Sequence, residues 1–308
     1  LGRNRRGELI KEDWESVTGY RTCLWHPAVR AANGRTVSAF LKDYPSDMLF
    51  RDQVGARGFS YDFNPAAPDP ISYSEGMISM AEEESALVPY ATEGGWDRIA
   101  NAATACFGMT FATIPTGLLG DIYPLFKVTH NASECSIEPI ALRMAHANTL
   151  FYPHNLGQWV FDPCTFVWTL ALGFSNSCNS WPGMLEAEDA MRLDWYRWVC
   201  EFQRRVTSRI LLQPVSCFTH DRRARGRHGR NLSEWTDDGV IVADYGPMHV
   251  VANLGDVPRQ VEGICLAPWG YDVRGAGVAA YWHDGGLPTI EDREGVMRFT
   301  GRLPPVER

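Results

Sequence analysis

The sequence predicts a mixed α/β fold in two parts. Residues 1–210 read as a parallel α/β region and residues 211–308 as an all-β sandwich. Three observations predict this. Between Arg30 and Leu212, apolar runs of strand length alternate with runs of helical periodicity. The strand-length runs are continuously apolar, as strands buried on both faces of a parallel sheet are. After Leu211 the helical periodicity stops, and short β-branched and aromatic runs follow, separated by Gly, Asp and Pro.

Taken in order, Arg30–Asp43 predicts a helix and Ser46–Arg51 (SDMLFR) a short buried strand. Tyr73–Ala86 predicts a helix, Leu87–Thr92 a second strand and Trp96–Cys106 another helix. A third strand is expected over Thr149–Pro153, and a helix over Thr165–Phe174. The longest helical run is Glu186–Ile210, where Leu193, Trp195, Tyr196, Val199, Phe202, Val206 and Ile210 supply the apolar face. In the second region Gly239–Tyr245, Met248–Asn253, Gln260–Leu266 and Gly277–His283 predict strands. The acidic and aromatic cluster Asp13-Trp14-Glu15 fits no element that the pattern defines.

Composition narrows the function. Hydrophobic residues make up 45% and charged residues 21%, which favours a folded globular chain over disorder, collagen or coiled coil. The net charge of −8 argues against a nucleic-acid binder, whose surface must neutralise phosphates. The one basic run, Arg222–Arg230 (RRARGRHGR), is short and reads as a solvated loop. No stretch approaches the roughly 20 apolar residues of a membrane helix. No signal peptide is read at the start, and a chain opening on Leu1 reads as the continuation of something longer. The eight Cys form no CxxC pair, so a structural zinc site is not expected. Two N-x-S triplets, at Asn131 and Asn231, carry little information.

Chemistry-bearing residues gather where the predicted strands end. In parallel α/β folds the ligand site lies beyond the carboxyl ends of the strands. The first strand ends in Asp52, followed by a Gly-containing loop with Arg57; Asp62 and Asn64 come next in YDFNP. On the sequence alone, Asp52 fits a helix cap or an Arg57 partner as well as a catalytic group. The second strand ends in Glu93, followed by Gly94 and Gly95, then Trp96 and Asp97. Trp96 suits a sugar platform, and Asp97 also suits a helix N-cap. His154 follows the third strand end, where a neutral imidazole can hydrogen-bond a hydroxyl or simply sit buried. Two strand-end carboxylates, Asp52 and Glu93, fit two neighbouring βα units. Such a pair is what glycosidic-bond hydrolysis needs, one attacking the anomeric carbon and the other shuttling a proton.

The blocks DMLFRDQVGAR (47–57), YDFNP (61–65), PYATEGGWDR (89–98) and LFYPHNL (150–156) resemble the C-terminal half of a glycoside hydrolase barrel. The β-rich tail, with VVANLG (250–255) and LAPWGYDV (266–273), resembles the sandwich that follows many such barrels. The nearest resemblance is to the barrel families of α-N-acetylgalactosaminidases and related bacterial glycosidase-like proteins, in scattered blocks over about residues 10–285. It implies a (β/α)8-type (TIM) barrel whose C-terminal part is residues 1–210. It also implies a retaining glycoside hydrolase acting on an α-linked sugar, with Asp52 as nucleophile and Glu93 as general acid/base. Arg57, Asp62, Trp96, Asp97 and His154 are expected to line the sugar pocket, with no metal or organic cofactor.

A complete barrel takes about 250 residues, and only four or five parallel strands are legible here. The first half is therefore expected from a second chain or from a preceding part of a longer enzyme. The rival expectations are a non-catalytic carbohydrate-binding or scaffold subunit, and a transglycosidase or phosphorylase on the same barrel.

Overall fold

The computed structural model describes residues 1–14, 17–52, 54–55, 61–95, 97–107, 139–152, 163–176, 190–221 and 239–304. The chain opens with an antiparallel hairpin, β1 (Lys11–Trp14) and β2 (Val17–Tyr20), which takes up Asp13 and Trp14. Helix α1 (Pro27–Asp43) starts three residues before the expected position. The His26 imidazole accepts the Ala28 amide proton at 3.2 Å, and Pro27 needs no amide donor in the first turn.

A four-stranded parallel sheet follows, in the order β3 (Leu49–Arg51), β4 (Tyr90–Glu93), β5 (Ala105–Phe107) and β6 (Leu150–Phe151). Helix α2 (Ser72–Ser85) links β3 to β4, and α3 (Asp97–Ala102) links β4 to β5. The helix expected over Trp96–Cys106 is therefore corrected. It stops at Ala102, and Ala105–Phe107 becomes a strand, with the Thr104 amide donating to Tyr90 O at 2.7 Å. Alanines and one Cys give that segment no period of its own; burial between two neighbouring strands decides its conformation.

Helices α4 (Pro139–Ala145), α5 (Pro163–Ala171) and α6 (Ala190–Arg205) complete the first region, and a short 3₁₀ turn at Thr207–Arg209 ends it. On α6 the buried positions Trp195, Trp198, Val199, Phe202 and then Val206 recur every three or four residues, as one helix face requires. Tyr196 is only partly buried, and Trp198 takes the place expected for it.

The second region is a seven-stranded antiparallel sheet. Its strands are β7 (Val215–Asp221), β8 (Val240–Tyr245), β9 (Met248–Asn253), β12 (Tyr271–Gly275), β13 (Val278–Tyr281), β14 (Thr289–Asp292) and β15 (Gly295–Arg298). A small ribbon, β10 (Arg259–Val261) and β11 (Ile264–Leu266), projects from it. One sheet face is apolar in register: Ile241, Ala243, Val250, Ala252, Tyr271, Val273, Ala280 and Ile290 are buried on it. Helices, not a second large sheet, cover that face. Phe166 on α5 and Phe202 on α6 both meet the Tyr271 ring edge-on, at 5.7 and 5.3 Å, and the Tyr245 hydroxyl donates to Ala171 O at 2.6 Å.

The architecture is thus mixed α/β with a large antiparallel sheet. A closed barrel and a two-sheet sandwich are not seen among the described residues. Among the described residues one hydrophobic core runs from Val54 and Met77 in the first region to Ile290 and Phe299 in the second. No described helix is long and apolar enough to cross a membrane.

Candidate active site

The parallel sheet has two unlike faces. Leu49, Tyr90, Cys106 and Phe151 pack into the shared core, the last three almost fully buried. The alternate residues Phe50, Ala91, Ala105 and Leu150 point the other way, because successive side chains on a strand leave opposite faces. On the core side, Arg51 of β3 reaches Glu84 of α2, a carboxylate only 1% exposed. Arg51 Nε donates to Glu84 at 2.9 Å, and the Asn33 amide donates to the same carboxylate at 2.5 Å. This network joins α1, α2 and β3 behind the strand ends.

The register then sets the row at the carboxyl ends. Arg51 pairs with Thr92, so Asp52 follows beside Glu93; Glu93 in turn pairs with Phe107. The Tyr152 amide donates to Cys106 O at 2.9 Å and brings Tyr152 next to Phe107. Across four adjacent strand ends the order is Asp52, Glu93, Phe107, Tyr152. Asp52 is exposed, and the other three are partly buried. The Phe107 and Tyr152 rings stack in parallel, 4.4 Å apart and 7° from coplanar, and Phe50 meets Phe107 edge-on at 5.7 Å.

The loop after β3 is tied to β4, and the turn after Glu93 is tied to β5. The Gly55 amide donates to Thr92 Oγ1 at 2.7 Å, and the Gly94 amide to Phe107 O at 2.5 Å. A side chain at position 55 would meet Gly94 O at 2.3 Å, and Gly94 itself has φ +68°.

Asp62, expected in the pocket, stands apart from this row. Its side chain is 1% exposed, and its oxygens accept from the Arg3 and Asn64 amides, at 2.9 and 2.8 Å, and from the Trp25 indole at 2.8 Å. Burial opposes its charge, but those donors outweigh it and hold the carboxyl below its ordinary range. A carboxylate so engaged pins the N-terminal segment to Trp25. Asp97 opens α3. Arg57, Trp96 and His154, the Arg222–Arg230 run and both N-x-S triplets lie outside the described residues. The sequence did not place Phe107 and Tyr152 in this row. Phe107 falls just past a segment read as helix, and Tyr152 sat unweighted inside TLFYP. Among the described residues no group of three or more His, Cys, Asp or Glu is placed to hold a metal ion.

No protein-family model matches the sequence, and no curated protein matches it. Among solved structures the chain is similar to a noncanonic maltogenic α-amylase, AmyB, from Thermotoga neapolitana. The TM-score is 0.44 and the identity 8%, over 96% of this chain and 66% of that one. The chain thus spans just under two thirds of that amylase's length.

Proposed function

We propose that this chain carries the catalytic carboxylates of a retaining glycoside hydrolase acting on an α-linked sugar, with its parallel sheet forming the C-terminal part of a (β/α)8-type barrel. The observation that supports the proposal is the β3–β4 register, which pairs Arg51 with Thr92, the residues just before Asp52 and Glu93, at the carboxyl ends of adjacent parallel strands. Neighbouring strands lie about 4.8 Å apart. That spacing suits the roughly 5–5.5 Å between carboxyl groups of retaining enzymes better than the wider gap that admits a water in inverting ones.

In this reading the exposed Asp52 carboxylate attacks the anomeric carbon while Glu93 gives its proton to the departing glycosidic oxygen. Glu93 then takes a proton from the water that cleaves the Asp52–sugar ester, which restores both groups. The Gly55–Thr92 hydrogen bond ties the loop after β3 to β4 during these steps, and the Gly94–Phe107 hydrogen bond ties the turn after Glu93 to β5.

The test is release of the phenol from aryl α-glycosides by the full chain. Asp52→Asn and Glu93→Gln should each slow turnover by a factor of roughly 10² or more without moving the thermal transition. The loss in Glu93→Gln should shrink for good leaving groups, which need no proton, whereas the loss in Asp52→Asn should not. Near-normal turnover in either variant overturns the assignment.

A further inference from the structure

Building on the hydrolase reading, we propose that Thr92 is a positioning residue for the two carboxylates. Its hydroxyl, through the Gly55 amide, fixes the chain that carries Asp52 against the strand that carries Glu93.

Thr92 is the residue before Glu93 and the register partner of Arg51, the residue before Asp52. It is 0% exposed and lies on the same strand face as Tyr90, opposite to Glu93. A buried hydroxyl costs stability unless it is hydrogen-bonded. This one finds its donor in the loop after β3: the Gly55 amide reaches Thr92 Oγ1 at 2.7 Å, across 37 residues of sequence. The hydroxyl itself donates to Glu93 O at 3.3 Å. One oxygen therefore joins the loop just past Asp52 to the backbone of Glu93.

Two other restraints act on that loop, and neither does the same work. Val54 is 8% exposed and packs in the hydrophobic core, which sets the depth of the loop. Gly55 abuts the turn after Glu93, where a Cβ would meet Gly94 O at 2.3 Å. Both are packing contacts. They resist closer approach but leave the loop free to slide along the end of β4. A directional hydrogen bond to a side chain held in a strand removes that freedom. Arg51, on the facing rung, is committed to Glu84 and Asn33 and so anchors β3 to the helices instead. Attack at an anomeric carbon tolerates little sliding, since a misplacement of about 1 Å can cost roughly 10²-fold in rate.

The experiment compares Thr92→Val, Thr92→Ser and Thr149→Val in the full chain. Thr149→Val is the control for general loss of stability. The Thr149 hydroxyl is also buried, and it donates to Ala100 O and Ala103 O at 3.0 and 3.1 Å, but it precedes β6 at the amino end of the sheet, away from the carboxylates. Each protein is followed by aryl α-glycoside kinetics and by hydrogen exchange of the Gly55 amide. Thr92→Val keeps the shape and removes the acceptor. It should lower kcat roughly tenfold or more with KM largely kept, and quicken Gly55 exchange. Thr92→Ser should restore both. Thr149→Val should lower the thermal transition but leave kcat and Gly55 exchange near wild type. If Thr92→Val does not fold, Thr92→Cys, which offers only a weak sulfur acceptor, gives the same two readings.

Wild-type kcat in Thr92→Val overturns the positioning role and leaves the hydrolase reading standing. Unchanged Gly55 exchange in that variant, or an equal loss of kcat in Thr149→Val, does the same. A wild-type chain that cleaves no aryl α-glycoside overturns both.

Discussion

At the scale of single residues, the site depends on one position without a side chain. Gly55 lies against the carbonyl groups of Glu93 and Gly94, so a methyl group there must push the turn that presents Glu93. Gly55→Ala should cost about 1–3 kcal/mol in denaturant unfolding, as overpacking does. It should also lower turnover more than that stability loss explains, because the carboxylate is displaced. The residue scale is also where the sequence is most and least informative. Asp52 and Glu93 are legible as strand-end acids because each follows an apolar run, and a parallel fold fixes where such a residue lies. Asp62 looks much the same in sequence, yet it is buried under Trp25. Nothing in YDFNP separates an acid that faces solvent from one that an indole and two amides enclose.

At the scale of elements, alternation made β3, β4 and β6 visible, and the i, i+3, i+4 pattern made α6 visible. The strand β5 was not visible, because it follows directly on a helical run and its alanine and cysteine carry no β-branched signal. The β10–β11 ribbon shows what an element needs beyond its own sequence. Its two-residue turn puts Glu262 at φ +50° and Gly263 at φ +82°, the twisted form that suits a hairpin but strains Glu262. A clamp from β9 opposes that strain. His249 Nδ1 faces Asp244 at 2.7 Å, and its Nε2 faces Glu262 at 3.1 Å. Arg274 is opposite His249 in register but turns to Asp272, with Nε at 2.6 Å. Only a protonated imidazole donates to both carboxylates. Burial lowers the affinity of His249 for its proton, but Asp244 and Glu262 outweigh this and raise it above the ordinary 6.5. A raised value in the folded state makes the clamp fully effective below about pH 6.5, and its contribution is lost as pH climbs through the raised value. The ring is over a third exposed, so solvent keeps the gain to about 1 kcal/mol or less. Amide hydrogen exchange in Arg259–Leu266 should therefore quicken in His249→Gln at pH 6 and differ little from wild type at high pH.

At the scale of the molecule, the two regions that the sequence separates near residue 210 share one core. Trp195 and Trp198 of α6 meet Phe299 beyond the last strand, at 5.1 and 6.0 Å. Composition could not show this, because an apolar helix face looks the same whatever it covers. A polar tie reinforces the aromatic one. Arg205, at the end of α6, holds both oxygens of Asp292 on β14 and donates to Gly295 O at 2.7 Å. The Arg205 guanidinium draws the Asp292 carboxyl down from 3.8 to about 2. A depressed value in the folded state means that the tie is whole above the ordinary carboxylate range and fails as pH falls toward 2. Acid unfolding followed by circular dichroism should therefore show a loss of stability between about pH 4 and 2 that shrinks in Asp292→Asn. Helix and sheet signals should fall together, since one core supports both.

The two-faced parallel sheet has a consequence for how such a protein changes over time. Positions 90, 106 and 151 answer to the interior, and positions 93, 107 and 152 point away from it. Selection on that second face and selection for an intact fold therefore act on interleaved letters of the same short words. A lineage free to rewrite every second letter can change one face while its skeleton stays put.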